Sequence, residues 1–132
     1  MLVADAQRMF SEALVRALYW CSDLRPINDQ PTTGAEAIEV IARHQPDVAL
    51  LDYWMGGMAI GAPAVTQAIS HSAPNCRVVV LSWLHGPQHI DAALQAGAVG
   101  FLPKSLGLDR VVEAIRRAHA GERPVLQRSW RV

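Results

Sequence analysis

Short apolar runs alternate along the chain with longer segments in which apolar residues recur every three or four positions. Four of the runs are nearly continuous and do not alternate with polar residues, which is typical of strands buried on both faces of a parallel sheet. These runs cover residues 2–4, 48–51, 78–81 and 99–102. The pattern therefore predicts a parallel sheet with four buried strands.

A fifth strand is predicted at residues 24–28, on an edge of the sheet. Pro26 lies within this segment, and because proline has no backbone N–H to donate, the segment suits an edge better than the centre. Pro31 and Gly34 are expected to close the loop that follows.

Five helices are predicted from apolar residues spaced to form one stripe. They cover about residues 9–18, 33–44, 63–72, 87–97 and 107–120. Thr32 or Thr33 is expected to cap the second helix, and Pro63 suits the first turn of the third. Strands that alternate with helices predict a parallel sheet covered on both faces, with strand order 2-1-3-4-5 and right-handed crossovers.

The length of 132 residues and the hydrophobic fraction of 51% fit a single folded domain. We place this domain at residues 1–121 and interpret residues 122–132 as a linker or C-terminal tail, because that end shows no periodicity. The 12 basic and 12 acidic residues cancel, so this segment is not expected to bind nucleic acid directly.

Cys21 and Cys76 show neither a CxxC nor a metal-ligand spacing, so two reduced, buried thiols are expected. No secretory signal and no run long enough to span a membrane is visible in the sequence. These features predict a cytoplasmic location.

Polar side chains stand at the ends of four predicted strands: Asp5, Asp52, Ser82 and Lys104. The predicted strand order brings these two carboxylates, the hydroxyl and the ammonium into one crevice. Each residue alone also has a structural explanation, namely a helix cap or turn for the aspartates and the serine and a solvated strand end for the lysine. Their joint occurrence at four strand ends favours a functional site.

Five segments in this order carry a family resemblance: LVADAQRMFSEAL, PDVALLDYWMGGMAIG, VVVLSWL, AALQAGAVGFLPKS and VVEAIRRAHAGE. With them the chain resembles the receiver domains of bacterial two-component response regulators, most closely those that precede a LuxR-type DNA-binding domain. The resemblance implies an α/β, flavodoxin-like (βα)5 three-layer sandwich.

The resemblance also implies a role for each polar residue at the strand ends. Asp52 matches the phosphoacceptor, and Asp5 and Asp52 together would bind Mg²⁺. Lys104 matches the lysine of the family pattern, and Ser82 matches the switch hydroxyl. Phe101 matches the aromatic switch residue, whose rotation would change the surface formed by the last two helices and the strand between them.

The sequence departs from the family pattern around this pocket. Ala6 takes the place of a second acidic residue, so Mg²⁺ binding is predicted to be weak. Trp83 follows the switch hydroxyl and Trp54 lies two residues after Asp52, so both rings are expected at the pocket rim, either covering it or packed on neighbouring loops. Gly56 replaces a proline and is expected to loosen its loop.

We expect a receiver, rather than an enzyme, that takes a phosphoryl group from a histidine kinase and changes its surface. The output is expected to be transcription, through a DNA-binding domain outside this segment. Homodimers through the first and fifth helices, or through the fourth and fifth, fit the resemblance.

Two alternatives remain open. One is a phosphorylation-independent receiver that binds a protein or a ligand, for which Ala6 and Trp83 are the sequence features. The other is a small phosphoester hydrolase that uses Asp52 as nucleophile. A zinc site at His85 and His89 is not expected, because Gly86 places His85 outside the predicted helix.

Overall fold

The computed structural model describes residues 1–55, 61–83 and 86–124. Within these ranges the chain forms four strands and five helices. The strands are β1 (Leu2–Ala4), β2 (Val48–Asp52), β3 (Arg77–Ser82) and β4 (Gly100–Pro103). The helices are α1 (Arg8–Leu18), α2 (Gly34–His44), α3 (Ala62–Ser72), α4 (Pro87–Gln95) and α5 (Leu108–His119). The four buried strands and the five helices are confirmed, with ends close to those predicted.

The four strands are parallel and lie in the order β1-β2-β3-β4. In this register Asp52 is opposite Leu81, and Ser82 is opposite Pro103. The carboxyl ends of the strands therefore meet at one edge of the sheet, which is where ligands bind in open α/β folds.

The predicted edge strand at residues 24–28 is wrong, and with it the fifth strand of the order 2-1-3-4-5. Among the described residues this segment forms no regular secondary structure. It does run beside β1, since the Ile27 N–H donates to the Met1 carbonyl over 2.8 Å. A strand needs a continued ladder of hydrogen bonds, and here the next backbone bond among the described residues is from the Asp5 N–H to the Pro31 carbonyl, over 3.1 Å.

Alternating strand residues face two separate cores, one on each side of the sheet. Leu51, Val80 and Phe101 lie on the side covered by α2, α3 and α4. Leu50, Val79 and Leu81 lie on the side covered by α1 and α5. The molecule is therefore a three-layer, flavodoxin-like α/β fold with a buried sheet.

Thr33 caps α2, since its side-chain oxygen accepts the Glu36 N–H over 3.2 Å. Of the two threonines predicted for this role, the structure therefore selects the second. Cys21 and Cys76 are free and only half-buried, so full burial of both thiols was wrong. None of the described helices has the length and apolar character needed to cross a lipid bilayer.

The segment after α5 returns to the outer edge of β4. The Phe101 N–H donates to the Pro124 carbonyl over 3.3 Å, and Pro124 is buried. A side chain at residue 100 would place its Cβ 2.7 Å from that carbonyl oxygen, so Gly100 is required for this approach. The remainder of the predicted tail, residues 125–132, lies outside the described residues, as do Gly56 and His85.

Candidate functional site

Three charged side chains meet at the carboxyl edge of the sheet. Asp5 directly follows β1, Asp52 ends β2, and Lys104 directly follows β4. Lys104 Nζ lies 2.6 Å from Asp5 Oδ2 and 3.3 Å from Asp52 Oδ1. The side chains are nearly inaccessible, with 1% of Lys104, 2% of Asp5 and 9% of Asp52 exposed. The strand order thus brings together residues that are up to about a hundred positions apart in sequence.

Backbone N–H groups of the loop after β1 hold the two carboxylates. The Gln7 N–H donates to Asp5 Oδ1 over 2.7 Å, and the Ala6 N–H donates to Asp52 Oδ2 over 3.4 Å. Hydrogen bonds from N–H groups to a carboxylate stabilise its charged form. The loop between β1 and α1 therefore fixes both acids relative to each other.

The surroundings of Asp52 change the pKa of its carboxyl group. Burial, and after it the negative charge of Asp5, raises the pKa of Asp52 from its ordinary value of 3.8 to about 6, while the Lys104 ammonium acts in the opposite direction. Two acids and one cation leave the cluster with a net negative charge when both acids are ionised. At neutral pH Asp52 is therefore a carboxylate, but its ionisation costs free energy in this buried site.

Gln7 joins this cluster to the protein surface, and sequence reasoning missed it. Its side-chain Oε1 accepts hydrogen bonds from Lys104 Nζ and from Trp83 Nε1, each over 3.3 Å. Phe10 was also missed as a site residue, and Lys104 Nζ lies 4.6 Å from the centre of its ring. The available signal was position, because Gln7 lies two residues after Asp5 in a loop at the carboxyl edge of the sheet.

Ser82 and Phe101 lie on the neighbouring strands β3 and β4. Ser82 ends β3 and is fully buried, and its backbone carbonyl accepts the Lys104 N–H over 2.9 Å. Phe101, in β4, is also fully buried, and its ring lies edge-on to the Tyr53 ring with 6.1 Å between centroids. Phe101 thus reaches the residue that directly follows Asp52.

Trp83 and Trp54, both predicted at the pocket rim, occupy different surroundings. Trp83 is 57% exposed and lies beside Lys104, with 6.0 Å from Nζ to the ring centre. Trp54 is 55% exposed and lies edge-on to Tyr53, with 5.1 Å between centroids. The Tyr53 ring also meets the ring of His89 at 5.2 Å. Trp83 therefore belongs to the charged cluster, whereas Trp54 packs on a neighbouring aromatic group.

The metal-binding capacity of the site rests on two carboxylates. In the part of the chain that the structure describes, no three His, Cys, Asp or Glu side chains are grouped to hold a metal ion. Mg²⁺ in proteins is commonly held by one or two carboxylates together with waters, so Asp5 and Asp52 fit a hydrated ion of this kind. Residue 6 supplies only its N–H to this region because it is alanine.

Comparisons with known proteins agree on one family. The sequence model of the response regulator receiver domain matches residues 1–116. The transcriptional regulatory protein NarL of Mycobacterium tuberculosis is 39% identical over 114 residues, covering 86% of this chain and 51% of NarL. The response regulator GacA of Pseudomonas aeruginosa is 31% identical over 122 residues, covering 92% of this chain and 56% of GacA. The chain therefore spans about half the length of these curated relatives.

A solved structure supports the same assignment. The signal receiver domain of NarL from Mycobacterium tuberculosis superposes with a TM-score of 0.85 at 35% sequence identity, covering 92% of this chain and 95% of that one. The family match includes β1, β2, β3 and β4, at whose ends the charged cluster lies. This chain belongs to the response regulator receiver domain family.

Proposed function

We propose that the domain accepts a phosphoryl group on Asp52 and passes this state on as a change of its surface. The observation that carries the proposal is the contact of Lys104 Nζ with carboxylate oxygens of both Asp5 and Asp52, at 2.6 and 3.3 Å. A nucleophilic carboxylate beside a buried cation is the arrangement that phosphoryl transfer needs, because this reaction depends on positioning and on neutralising charge.

In the transfer step an oxygen of the Asp52 carboxylate forms a bond to the phosphorus of the donor. The bond from phosphorus to the leaving group breaks, and the leaving group departs with the electron pair. Lys104 faces the oxygens that carry the new charge, and Asp5 keeps the ammonium in place through its 2.6 Å contact. The product is an acyl phosphate on Asp52.

Receiver domains bind Mg²⁺ at an acidic pocket. We assign the ligands here to Asp5 and Asp52 and expect weak binding, since Ala6 supplies no carboxylate. When bound, the ion supplies neutralisation of charge on the phosphoryl oxygens. The chain's own residues orient the acceptor and exclude water around it.

The surface change is assigned to Ser82 and Phe101. A phosphoryl group adds about 1.5 to 2 negative charges and strong acceptor oxygens, and the proposed partner for one of these oxygens is the hydroxyl of Ser82, which ends β3. Phe101 already contacts Tyr53, next to the acceptor, so movement at the carboxyl edge reaches β4 through these two rings. Trp83 and Trp54 line the rim through which a donor enters.

The proposed donor is a histidine kinase, with which receiver domains interact. The proposed location is the cytoplasm, in keeping with the free Cys21 and Cys76.

We propose a signalling domain at residues 1–121, followed by a linker at 122–132, and not an enzyme. The proposed output is transcription, supported by similarity to NarL, a transcriptional regulatory protein of which this chain covers 51%. Self-association through α1 and α5, or through α4 and α5, is part of the proposal.

The test is incubation with acetyl phosphate and Mg²⁺, followed by measurement of the intact mass. We expect the mass of one phosphoryl group to be added to the unchanged protein. Asp52→Asn should add none, while Asp91→Asn, which changes an exposed carboxylate on α4, should be labelled normally. Equal labelling of Asp52→Asn would contradict the assignment of the acceptor.

Two observations favour a second function, that of a receiver switched without phosphate. The cation of Lys104 already contacts both acids, and two carboxylates rather than three are available for a metal. A domain of this kind would bind its partner in the state described here. Unchanged mass after prolonged exposure to acetyl phosphate, together with undiminished partner binding by Asp52→Asn, would favour this alternative.

A further inference from the structure

Gln7 is a neutral, exposed residue that holds two members of the site at once. Its single side-chain oxygen accepts from buried Lys104 and from the exposed ring of Trp83, each over 3.3 Å. The backbone N–H of the same residue donates to Asp5 over 2.7 Å. Gln7 therefore links the floor of the pocket to its rim.

The donors of Lys104 are already matched. An ammonium has three N–H donors, and three acceptors surround it here: Asp5 Oδ2 at 2.6 Å, Asp52 Oδ1 at 3.3 Å and Gln7 Oε1 at 3.3 Å. A phosphoryl oxygen that reaches Lys104 must take the place of one of them. While the donor approaches, Asp52 is still a carboxylate, and both acids attract the ammonium through their charge, whereas the amide oxygen of Gln7 carries no net charge. Gln7 is therefore the acceptor most easily displaced.

Displacing Gln7 also affects Trp83. The two donors share one oxygen, so a Gln7 side chain that leaves Lys104 carries its acceptor away from the indole N–H as well. Trp83 is 57% exposed, which leaves it room to move once this bond is lost. Loss of the Lys104–Gln7 bond therefore also removes the hydrogen bond that holds the indole beside Lys104.

We propose that Gln7 is a positioning residue that competes with the incoming phosphoryl group for Lys104 and keeps Trp83 closed over the unphosphorylated pocket. This inference rests on the proposed phosphorylation of Asp52 and deepens it, because it assigns control of access to the site. In the phosphorylated state Lys104 bonds the phosphoryl oxygens, and Gln7 and Trp83 are released. Gln7 therefore slows labelling and has no effect on the lifetime of the label.

The test compares the unchanged protein with Gln7→Ala and with Gln67→Ala, a matched change of an exposed glutamine on α3. Trp83→Phe, which keeps a ring but removes the indole donor, is the second variant. Labelling by acetyl phosphate with Mg²⁺ is followed by intact mass, and loss of the label is followed after the donor is removed. The fluorescence contributed by Trp83 is the part that is missing from Trp83→Phe. Quenching of this part by acrylamide reports the exposure of Trp83 before phosphorylation.

We expect Gln7→Ala to be labelled roughly 2- to 10-fold faster than Gln67→Ala, the range that corresponds to one lost hydrogen bond. Trp83→Phe should show a smaller increase, and all variants should lose the label at equal rates. Before phosphorylation, Trp83 should be quenched more strongly in Gln7→Ala. If Gln7 only supported the structure of the site, Gln7→Ala would change the rate at which the label is lost as well as the rate of labelling.

Equal labelling rates in Gln7→Ala and Gln67→Ala would overturn the role of Gln7 and leave the proposed function standing. Labelling of Gln7→Ala and of no other variant would support the proposed role of Gln7. Absence of label from every variant would overturn the proposed function and, with it, this inference. Unchanged quenching of Trp83 in Gln7→Ala would show that Gln7 does not hold the ring.

Discussion

Lys104 Nζ lies closer to Asp5 Oδ2, at 2.6 Å, than to Asp52 Oδ1, at 3.3 Å. The cation is therefore held mainly by the acid that is not the proposed acceptor. Asp52 keeps a shared, longer contact, and this is consistent with the rise of its pKa to about 6, which burial and Asp5 cause against the influence of Lys104. The acceptor is thus only partly neutralised before it reacts.

Removing the cation should destabilise the fold. Lys104→Met leaves two buried carboxylates without a counterion, and breaking a buried ion pair from one side typically costs about 3 to 5 kcal/mol. We expect the free energy of unfolding at pH 7.5 to fall by roughly this amount in urea denaturation. Arg110→Met, an exposed position on α5, is the control. A loss no larger than that of the control would mean that the cluster is solvated.

Removing the charge of Asp52 should stabilise the fold at neutral pH. The pKa of Asp52 is about 6 in the folded state against an ordinary value of 3.8, so the folded state binds the proton more tightly than the unfolded state does. The charged carboxylate therefore costs stability above pH 6, and this cost disappears as the pH falls towards 4. We expect Asp52→Asn to raise the free energy of unfolding by about 1 to 3 kcal/mol at pH 7.5.

The same comparison at pH 4.5 should show a smaller difference, because Asp52 is then largely protonated in the folded protein. Asp91→Asn, an exposed carboxylate on α4, is the matched control and should change little at either pH. A destabilised Asp52→Asn at pH 7.5 would show that the Lys104 contact outweighs the burial of the carboxylate.

Restoring a second acid should strengthen metal binding. Ala6 is exposed, and its N–H lies 3.4 Å from Asp52 Oδ2, so an aspartate at this position would stand beside the two existing carboxylates. We expect Ala6→Asp to tighten Mg²⁺ binding by about 10- to 100-fold. Isothermal titration with Mg²⁺ measures this, and Ala35→Asp, an exposed position in α2, controls for added charge. Equal affinities for the two variants would place residue 6 away from the metal.

A side chain at residue 100 should displace the segment after α5. A Cβ there would lie 2.7 Å from the Pro124 carbonyl oxygen and 3.0 Å from its Cγ. We expect Gly100→Ala to cost about 1 to 3 kcal/mol through overpacking, and to speed hydrogen exchange of the Phe101 amide by roughly 2- to 10-fold as its bond to Pro124 is lost. In Gly107→Ala the added Cβ meets no described atom within 4 Å, so exchange at Phe101 should stay unchanged.

Most of the fold could be predicted because buried segments have a recognisable apolar pattern in the sequence. Leu50 and Val79 belong to continuous apolar runs, and such runs require cover on both faces. The segment around Pro26 could not be predicted in the same way. This segment does lie against β1, but a strand is defined by a repeated ladder of hydrogen bonds, and its bonds to Met1 are not continued by the residues that follow.

The candidate site, too, could be predicted only in part from the sequence. Asp5, Asp52 and Lys104 were identifiable because polar residues follow several apolar runs of one sheet, although each alone has an ordinary structural explanation. The distances among them, and the closer bond of Lys104 to Asp5, depend on the loop that follows β1. Gln7 carried no comparable signal, since an exposed glutamine near the start of a helix is ordinary in any sequence.

By itself, the sequence determined the alternation of strands and helices, the ends of the sheet at which polar groups collect, and the family. Only the tertiary structure decided that one amide oxygen of Gln7 serves both Lys104 and Trp83, and that Pro124 covers the edge of β4. The physical reason is the separation in sequence of the residues that interact. Apolar patterns report burial within one segment, whereas hydrogen bonds between residues about 20 to 100 positions apart depend on how the packed segments are placed in space.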